Sequence, residues 1–175
     1  MIKNSKAFVE EAKTWNTDPE EIQVSYDVLA LYPSVPIKKA ITNLMEMLVK
    51  DHDDFRTRTV LKLEHVKQLI EVCLYKSYFL FDNQIHSLED SGPIGLSLMV
   101  VLAESFLQMI ENKALNIANG KPSPVHPITH KRYVDDCHDR FKNKETSEEF
   151  LKILNSQEPQ IQFTAENENS SKDHQ

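Results

Sequence analysis

The chain is short of several things at once. It has two cysteines, Cys73 and Cys137, in 175 residues. Two thiols form no disulfide framework and fit a reducing compartment. The first residues, "MIKNSKAFVEEAKTW", lack an apolar secretory core, so the expectation is an intracellular protein, in nucleus or cytoplasm, and not a secreted one. Long apolar runs are also missing. The longest, "LSLMVVLA" at 96–103, is followed by Glu104 and Gln108, too short and too interrupted to span a bilayer. Basic charge is scarce: 20 Lys and Arg stand against 27 Asp and Glu, a net of −7. A self-sufficient nucleic-acid binder presents a basic surface, so either the chain does not bind nucleic acid or its basic parts lie outside these residues. Glycine occurs only three times, and Gly92 and Gly95 fall within four positions. Glycine permits close backbone approach and unusual φ, so that pair marks a special loop.

What is present is a foldable pattern. Hydrophobic residues make up 40%, enough for a packed core in one domain of ordinary size. Ile22, Val24 and Tyr26 alternate with Gln23 and Ser25, a strand that ends near Asp27. "YPSVP" breaks it, and Pro36 suits the first turn of a helix carrying Ile37, Ile41, Leu44 and Leu48 at helical spacing. "KDHDDFRTR" reads as a polar linker. A second helix covers about 61–74, with Leu63, Val66, Ile70 and Cys73 on one face. Residues 77–88 read as a hairpin turning at Asp82-Asn83. "EDSGPIG" is a loop, and a third helix covers roughly 97–116, its polar stripe being Glu104, Gln108, Glu111 and Asn112. Strands follow at about 130–134 and 137–142, with an Asp-Asp turn between them. A capping box from Thr146 to Glu149 opens a fourth helix. "IQFTAE" at 161–166 is the last strand, and 167–175 reads as a disordered tail. The mixed order favours α+β: an antiparallel sheet, split ferredoxin-like in its closing β-β-α-β, with helices packed on one face.

The chemistry gathers on carboxylates. Asp135 and Asp136 are adjacent, and each raises the energy of ionising the other. Adjacent aspartates are also common in turns simply because Asp tolerates turn geometry. In an antiparallel sheet, however, the hairpin can lie beside the first strand and bring Asp27 to the same end. Divalent cations would neutralise such a trio, and Mg²⁺ takes a few carboxylates together with phosphate oxygens and water. A zinc site is disfavoured. His126, His130, Cys137 and His138 include no CxxC, and His130 and Cys137 would lie on different strands of the hairpin.

Four stretches carry a resemblance: "YDVLALYPSVP" at 26–36, "SGPIGLSLMVVLAESFL" at 91–107, "RYVDDCHDRF" at 132–141 and "IQFTAE" at 161–166. In this order and spacing they resemble the palm of a reverse transcriptase, the first three being similar to its motifs A, B and C. The nearest likeness is to eukaryotic retroelements of the Penelope-like or non-LTR type, and it runs over residues 20–166. Residues 1–19 would then be a lead-in. The resemblance implies a polymerase palm fold and an RNA-directed DNA polymerase that adds dNTPs to a primer 3′-OH by two-metal phosphoryl transfer. It implies Asp27, Asp135 and Asp136 as catalytic carboxylates. It also implies two Mg²⁺, with Mn²⁺ as a substitute, held by these three and the Val28 carbonyl. Tyr32 would be the steric gate that collides with a ribose 2′-OH. Gly92, Pro93, Gly95 and Ser97 would touch template and nucleotide. Partners would be an RNA template, a DNA primer and a dNTP, with no membrane.

The chain departs from the family pattern in places. Leu96 stands where the family commonly has Ser, Met99-Val100 replaces a Ser-Pro, and position 94 is Ile where some relatives have Gln. "NSQEPQIQFT" contains no lysine to protonate pyrophosphate; Lys152 and Lys172 lie to either side of it. Fingers, thumb or endonuclease modules are expected in a longer protein, of which this would be a fragment. The alternative expectation is a non-catalytic retroelement remnant serving as a scaffold or RNA-binding module.

Overall fold

The computed structural model describes residues 2–75, 78–87, 95–123 and 125–167. It is mixed α+β with an antiparallel four-stranded sheet. The chain divides into two compact units, Met1–Leu29 with Ile110–Gln175, and Ala30–Met109.

The first unit holds the sheet. Strand β1 is Ile22–Val28, β4 is Thr129–Tyr133, β5 is Asp136–Phe141 and β6 is Phe163–Asn167, in the order β4-β5-β1-β6. Every neighbouring pair is antiparallel. The register pairs Tyr26 with Cys137 on one side and with Ala165 on the other. Period-2 alternation then sorts the faces. Val24, Tyr26 and Val28 are buried, while Ser25 and Asp27 point to the opposite side and are exposed. Cys137, Asp139 and Phe141 continue the inner face on β5. Helix α7 (Lys144–Ser156) lies against this face through Phe150, Ile153 and Leu154, all buried. Phe150 tilts against Phe141 and Tyr26, and the Tyr26 hydroxyl donates to the Ser147 carbonyl at 3.1 Å.

The expected arrangement of all helices on one face needs correction. Helix α1 (Ser5–Ala12) forms within the segment expected as a lead-in, capped by the Asn4 side chain, which accepts from the Ala7 amide. It lies on the outer face. Phe8 and Trp15 pack edge-on to one another, both meet the His138 ring, and Arg140 sits over the Trp15 ring. Outer-face positions of β5 are thus aromatic partners instead of solvated ones, which is what draws a helix onto that side.

The second unit contains helices α2 (Leu31–Ser34), α3 (Ile37–Lys50), α4 (His52–Arg58) and α5 (Leu63–Tyr75). It also contains the β2–β3 hairpin (Tyr78–Phe81, Gln84–Ser87) and the start of α6 (Ser97–Asn119). From Ile110 onward α6 belongs to the first unit. The hairpin turns through Asp82 and Asn83, both at positive φ (49° and 56°), as that pair of residues predicts. The stretch expected as a linker, 50–58, is instead helical over His52–Arg58. Asp53 and Asp54 in its first turn and Arg56 and Arg58 in its last suit the helix dipole, and Arg58 pairs with Asp54 at 2.6 Å. On α5 the buried residues are Ile70 and Leu74, while Cys73 is exposed. Buried Asn43 on α3 donates to the Ser105 carbonyl of α6 at 2.8 Å, which satisfies its amide.

Other boundaries shift by small steps. The N-cap of α7 is Asn143, whose side chain accepts from the Thr146 amide, so Thr146 is inside the helix and not its cap. The last strand begins at Phe163; Ile161 and Gln162 lead into it. Of residues 167–175, expected as a disordered tail, Asn167 ends β6 and 168–175 lie outside the described residues. Among the described residues no helix is long and apolar enough to cross a membrane.

Candidate functional site

Four strands end together where the carboxylates stand. The register that pairs Tyr26 with Cys137 puts Asp27 and Asp136 at the next position along β1 and β5. Asp27 also pairs with Thr164 on β6, and Asp136 with Tyr133 on β4. The expected Asp-Asp turn is therefore displaced by one residue. Val134 and Asp135 form the two-residue turn, and Asp136 is the first residue of β5. Asp27 and Asp136 are exposed on the outer face, and Asp135 is half-buried. Partial burial raises the Asp136 pKa, and the like charges of Asp135 and Asp27 raise it further. That coupling places the three carboxylates within electrostatic reach of one another. All their donors are oxygens, the donor set that suits a hard divalent cation, and a cation would relieve the repulsion. Val28, buried at the end of β1, pairs with Phe163. Beside Asp136, a cleft of about 200 Å³ opens between the start of α1 and the β4–β5 hairpin, lined among others by Phe8, Ser25, Tyr133 and His138.

The turn is strained. Val134 sits at φ 58°, a left-handed conformation that a β-branched residue avoids, at a cost of about 1–3 kcal/mol. Arg132 offsets part of that cost. Its Nη1 donates to the Val134 carbonyl at 2.7 Å.

Behind the turn, on the inner face, lies a cluster that sequence reasoning missed. Glu111 was expected on the polar stripe of α6, yet it is 6% exposed and faces Arg132, whose Nε lies 2.7 Å from its Oε1. The Cys137 thiol donates to Glu111 at 3.5 Å. His130 Nδ1 meets Asp139 at 2.7 Å, and its Nε2 is 3.8 Å from Glu111. Burial works against charge on His130, but hydrogen bonds and attraction from Asp139 and Glu111 outweigh it and push the pKa up to about 9. Burial also works to raise Glu111, and His130 together with Arg132 carries it below the usual carboxylate range. Burial pushes the Asp139 carboxyl up even though His130 bonds to it, so the cluster sets two acidic groups against two basic ones in a largely buried space.

Glu111, His130 and Cys137 have ligand atoms all within 4.8 Å of one another, so placing His130 and Cys137 on different strands does not keep them apart. Adjacent strands put them on the same face. A metal there would need a thiolate and a neutral imidazole. In the ion-free fold burial pushes the thiol up and the imidazole pKa lies at about 9, so a metal bound there would have to displace both protons. His126 is exposed, and His138 faces the opposite side with Phe8 and Trp15.

The remaining expected residues fall in the second unit. Tyr32 is half-buried on α2, five residues after Asp27, just beyond Ala30, whose backbone is left-handed at φ 46°. Gly92 and Pro93 lie outside the described residues. Gly95 has φ 94°, a value that a side chain would strain, and it leads into α6, whose first residue, Ser97, is exposed. No protein-family model matches the chain, and no curated protein matches it in sequence.

Proposed function

We propose that the chain is the palm of an RNA-directed DNA polymerase, with Asp27, Asp135 and Asp136 as the carboxylates of a divalent-cation site. The observation that carries this reading is the register of β1 against β5, which brings Asp27 and Asp136 to one sheet end beside the Val134–Asp135 turn. The strand order β4-β5-β1-β6 supports it, being that of a β-α-β-β-α-β ferredoxin-like sheet, the architecture expected of a palm. When bound, Mg²⁺ or Mn²⁺ would supply charge for the attacking 3′-oxygen and the leaving pyrophosphate.

The chain's own residues have separate tasks. Asp27 and Asp136 face the outer surface and would hold the cations, with Asp135 completing the donor set and the Val28 carbonyl adding a neutral oxygen. Tyr32 would stand under the incoming sugar and reject a 2′-OH by collision. Gly95, with the Gly92-Pro93 segment before it, would let backbone approach the template base, and Ser97 would bond to template or nucleotide. RNA template, DNA primer and dNTP are the substrates this reading requires. A net charge of −7 leaves most of the phosphate grip to basic regions outside these 175 residues.

The experiment is cation-dependent thermal stability, since a ligand that binds only the folded state raises the melting temperature. Mn²⁺ should stabilise the wild-type chain and should not stabilise the variant with Asp27, Asp135 and Asp136 all changed to Asn. Template-directed extension of a DNA primer on RNA should be weak in the chain alone and lost in Asp135→Asn. Equal stabilisation of wild type and triple variant would reject the site. Stabilisation without any primer extension would favour the scaffold or RNA-binding alternative.

A further inference from the structure

We infer that Arg132, itself held by Glu111, is a positioning residue for Asp135 and Asp136, acting through the backbone of the turn between β4 and β5. The inference rests on the cation-site reading and adds to it the pair that sets the site's geometry. Val134 is a β-branched residue at φ 58°, and such a conformation persists only where its surroundings over-determine it. Its carbonyl receives the Arg132 Nη1 at 2.7 Å. The same guanidinium forms an ion pair with Glu111, its Nε 2.7 Å from Oε1. One planar group therefore links the turn to α6, an element that is not part of the hairpin.

The link is stiff for three reasons. Arg132 and Glu111 are 4% and 6% exposed, so water does not compete for their contacts. Glu111 is fixed by more than the arginine, since the Cys137 thiol donates to its Oε1 and the His130 ring stands 3.8 Å from its Oε2. The Arg132 backbone is held as well, its carbonyl accepting from the Ile2 amide at 2.9 Å. A guanidinium can bond two partners in a fixed fork, which an ammonium on a flexible stem cannot reproduce. Asp135 and Asp136 follow Val134 directly, so any relaxation of its φ moves both carboxylates relative to Asp27.

Groups that orient ligands from behind typically change metal affinity by about 10–100-fold when altered. The test measures Mn²⁺ dissociation constants by calorimetry on the 175-residue chain, for wild type, Arg132→Lys and Arg132→Lys combined with Val134→Gly. It also follows the backbone coupling constant that reports φ at Val134. Arg132→Lys should weaken Mn²⁺ binding about tenfold or more and shift φ at Val134. Adding Val134→Gly, which adopts positive φ without strain, should recover much of the affinity. That double variant also serves if Arg132→Lys alone folds poorly, because relieving the turn should restore both fold and binding.

Equal affinity in wild type and Arg132→Lys would overturn the inference and leave the polymerase reading intact. Absence of Mn²⁺ binding in wild type would overturn the polymerase reading. The coupling constant would still judge the arginine: an unshifted value in Arg132→Lys refutes its hold on the turn, and a shifted value sustains it.

Discussion

Raising pH should destabilise this protein through one imidazole. In the fold, His130 carries a pKa of about 9, against an ordinary 6.5. Its ring lies between Asp139 at 2.7 Å and Glu111 at 3.8 Å, with Arg132, Cys137 and Phe150 completing its surroundings. Because the folded value is the higher one, the folded state holds the proton more tightly. The resulting stability is fully present below pH 6.5 and is lost as pH rises through about 9. A difference of this size corresponds to roughly 3 kcal/mol, a large share of the ~5–15 kcal/mol by which domains are stable. Urea unfolding from about pH 6 to pH 10 would measure it. The reference is His130→Gln combined with Asp139→Asn, which removes one charge of each sign and leaves Glu111 paired with Arg132. The wild-type advantage over that variant should shrink by roughly 3 kcal/mol across the range. A flat difference, or an NMR titration placing the His130 ring near its ordinary value, would refute the account of a charge-balanced cluster.

Three further outcomes are expected. Phe150→Ala should cost about 3–5 kcal/mol in denaturant unfolding, because Phe150 is fully buried between Tyr26 and Phe141 and leaves a cavity behind. Asn143→Ala should cost about 1 kcal/mol, since its side chain accepts from the Thr146 amide at the start of α7, and Asn143→Ser should restore most of it. Without added cation, changing Asp27, Asp135 and Asp136 together to Asn should raise the melting temperature, because the carboxylates repel one another in the fold. An unchanged or lower melting temperature would deny that the trio is a destabilised site awaiting a cation.

Where local pattern decides structure, the sequence was readable. The alternation of Ile22, Val24 and Tyr26 with Gln23 and Ser25 marked β1 without knowledge of any partner strand. Asp82-Asn83 specified its turn because both residues tolerate positive φ. The Tyr133–Asp136 turn was harder. Asp-Asp is the stronger turn signal by residue type, yet the fold bends at Val134–Asp135. The bond from Arg132 to the Val134 carbonyl holds the bend there, and Arg132 is itself paired with Glu111 on α6, a partner that no local preference registers.

Glu111 shows where sequence reading stops. On a helical wheel it lines up with Glu104 and Gln108, and the economical reading is a solvated stripe. What turns it inward is Arg132, 21 positions further along the chain, and His130 beside it, both projecting from the inner face of β4. No spacing rule links residues so far apart. The usable signal was on β4 itself: "THKRY" places His130 and Arg132 two apart, hence on one face, and that face is the buried one. Two cations directed into a core demand two anions, and Glu111 and Asp139 are the ones that face them. The same demand bears on the exposed end of the sheet with the sign reversed. Asp27, Asp135 and Asp136 gather negative charge, and Arg132, the nearby cation that props their turn, is already committed to Glu111. The inner cluster sets acidic and basic side chains against one another, and on the proposed reading a divalent cation would do the same for the outer trio.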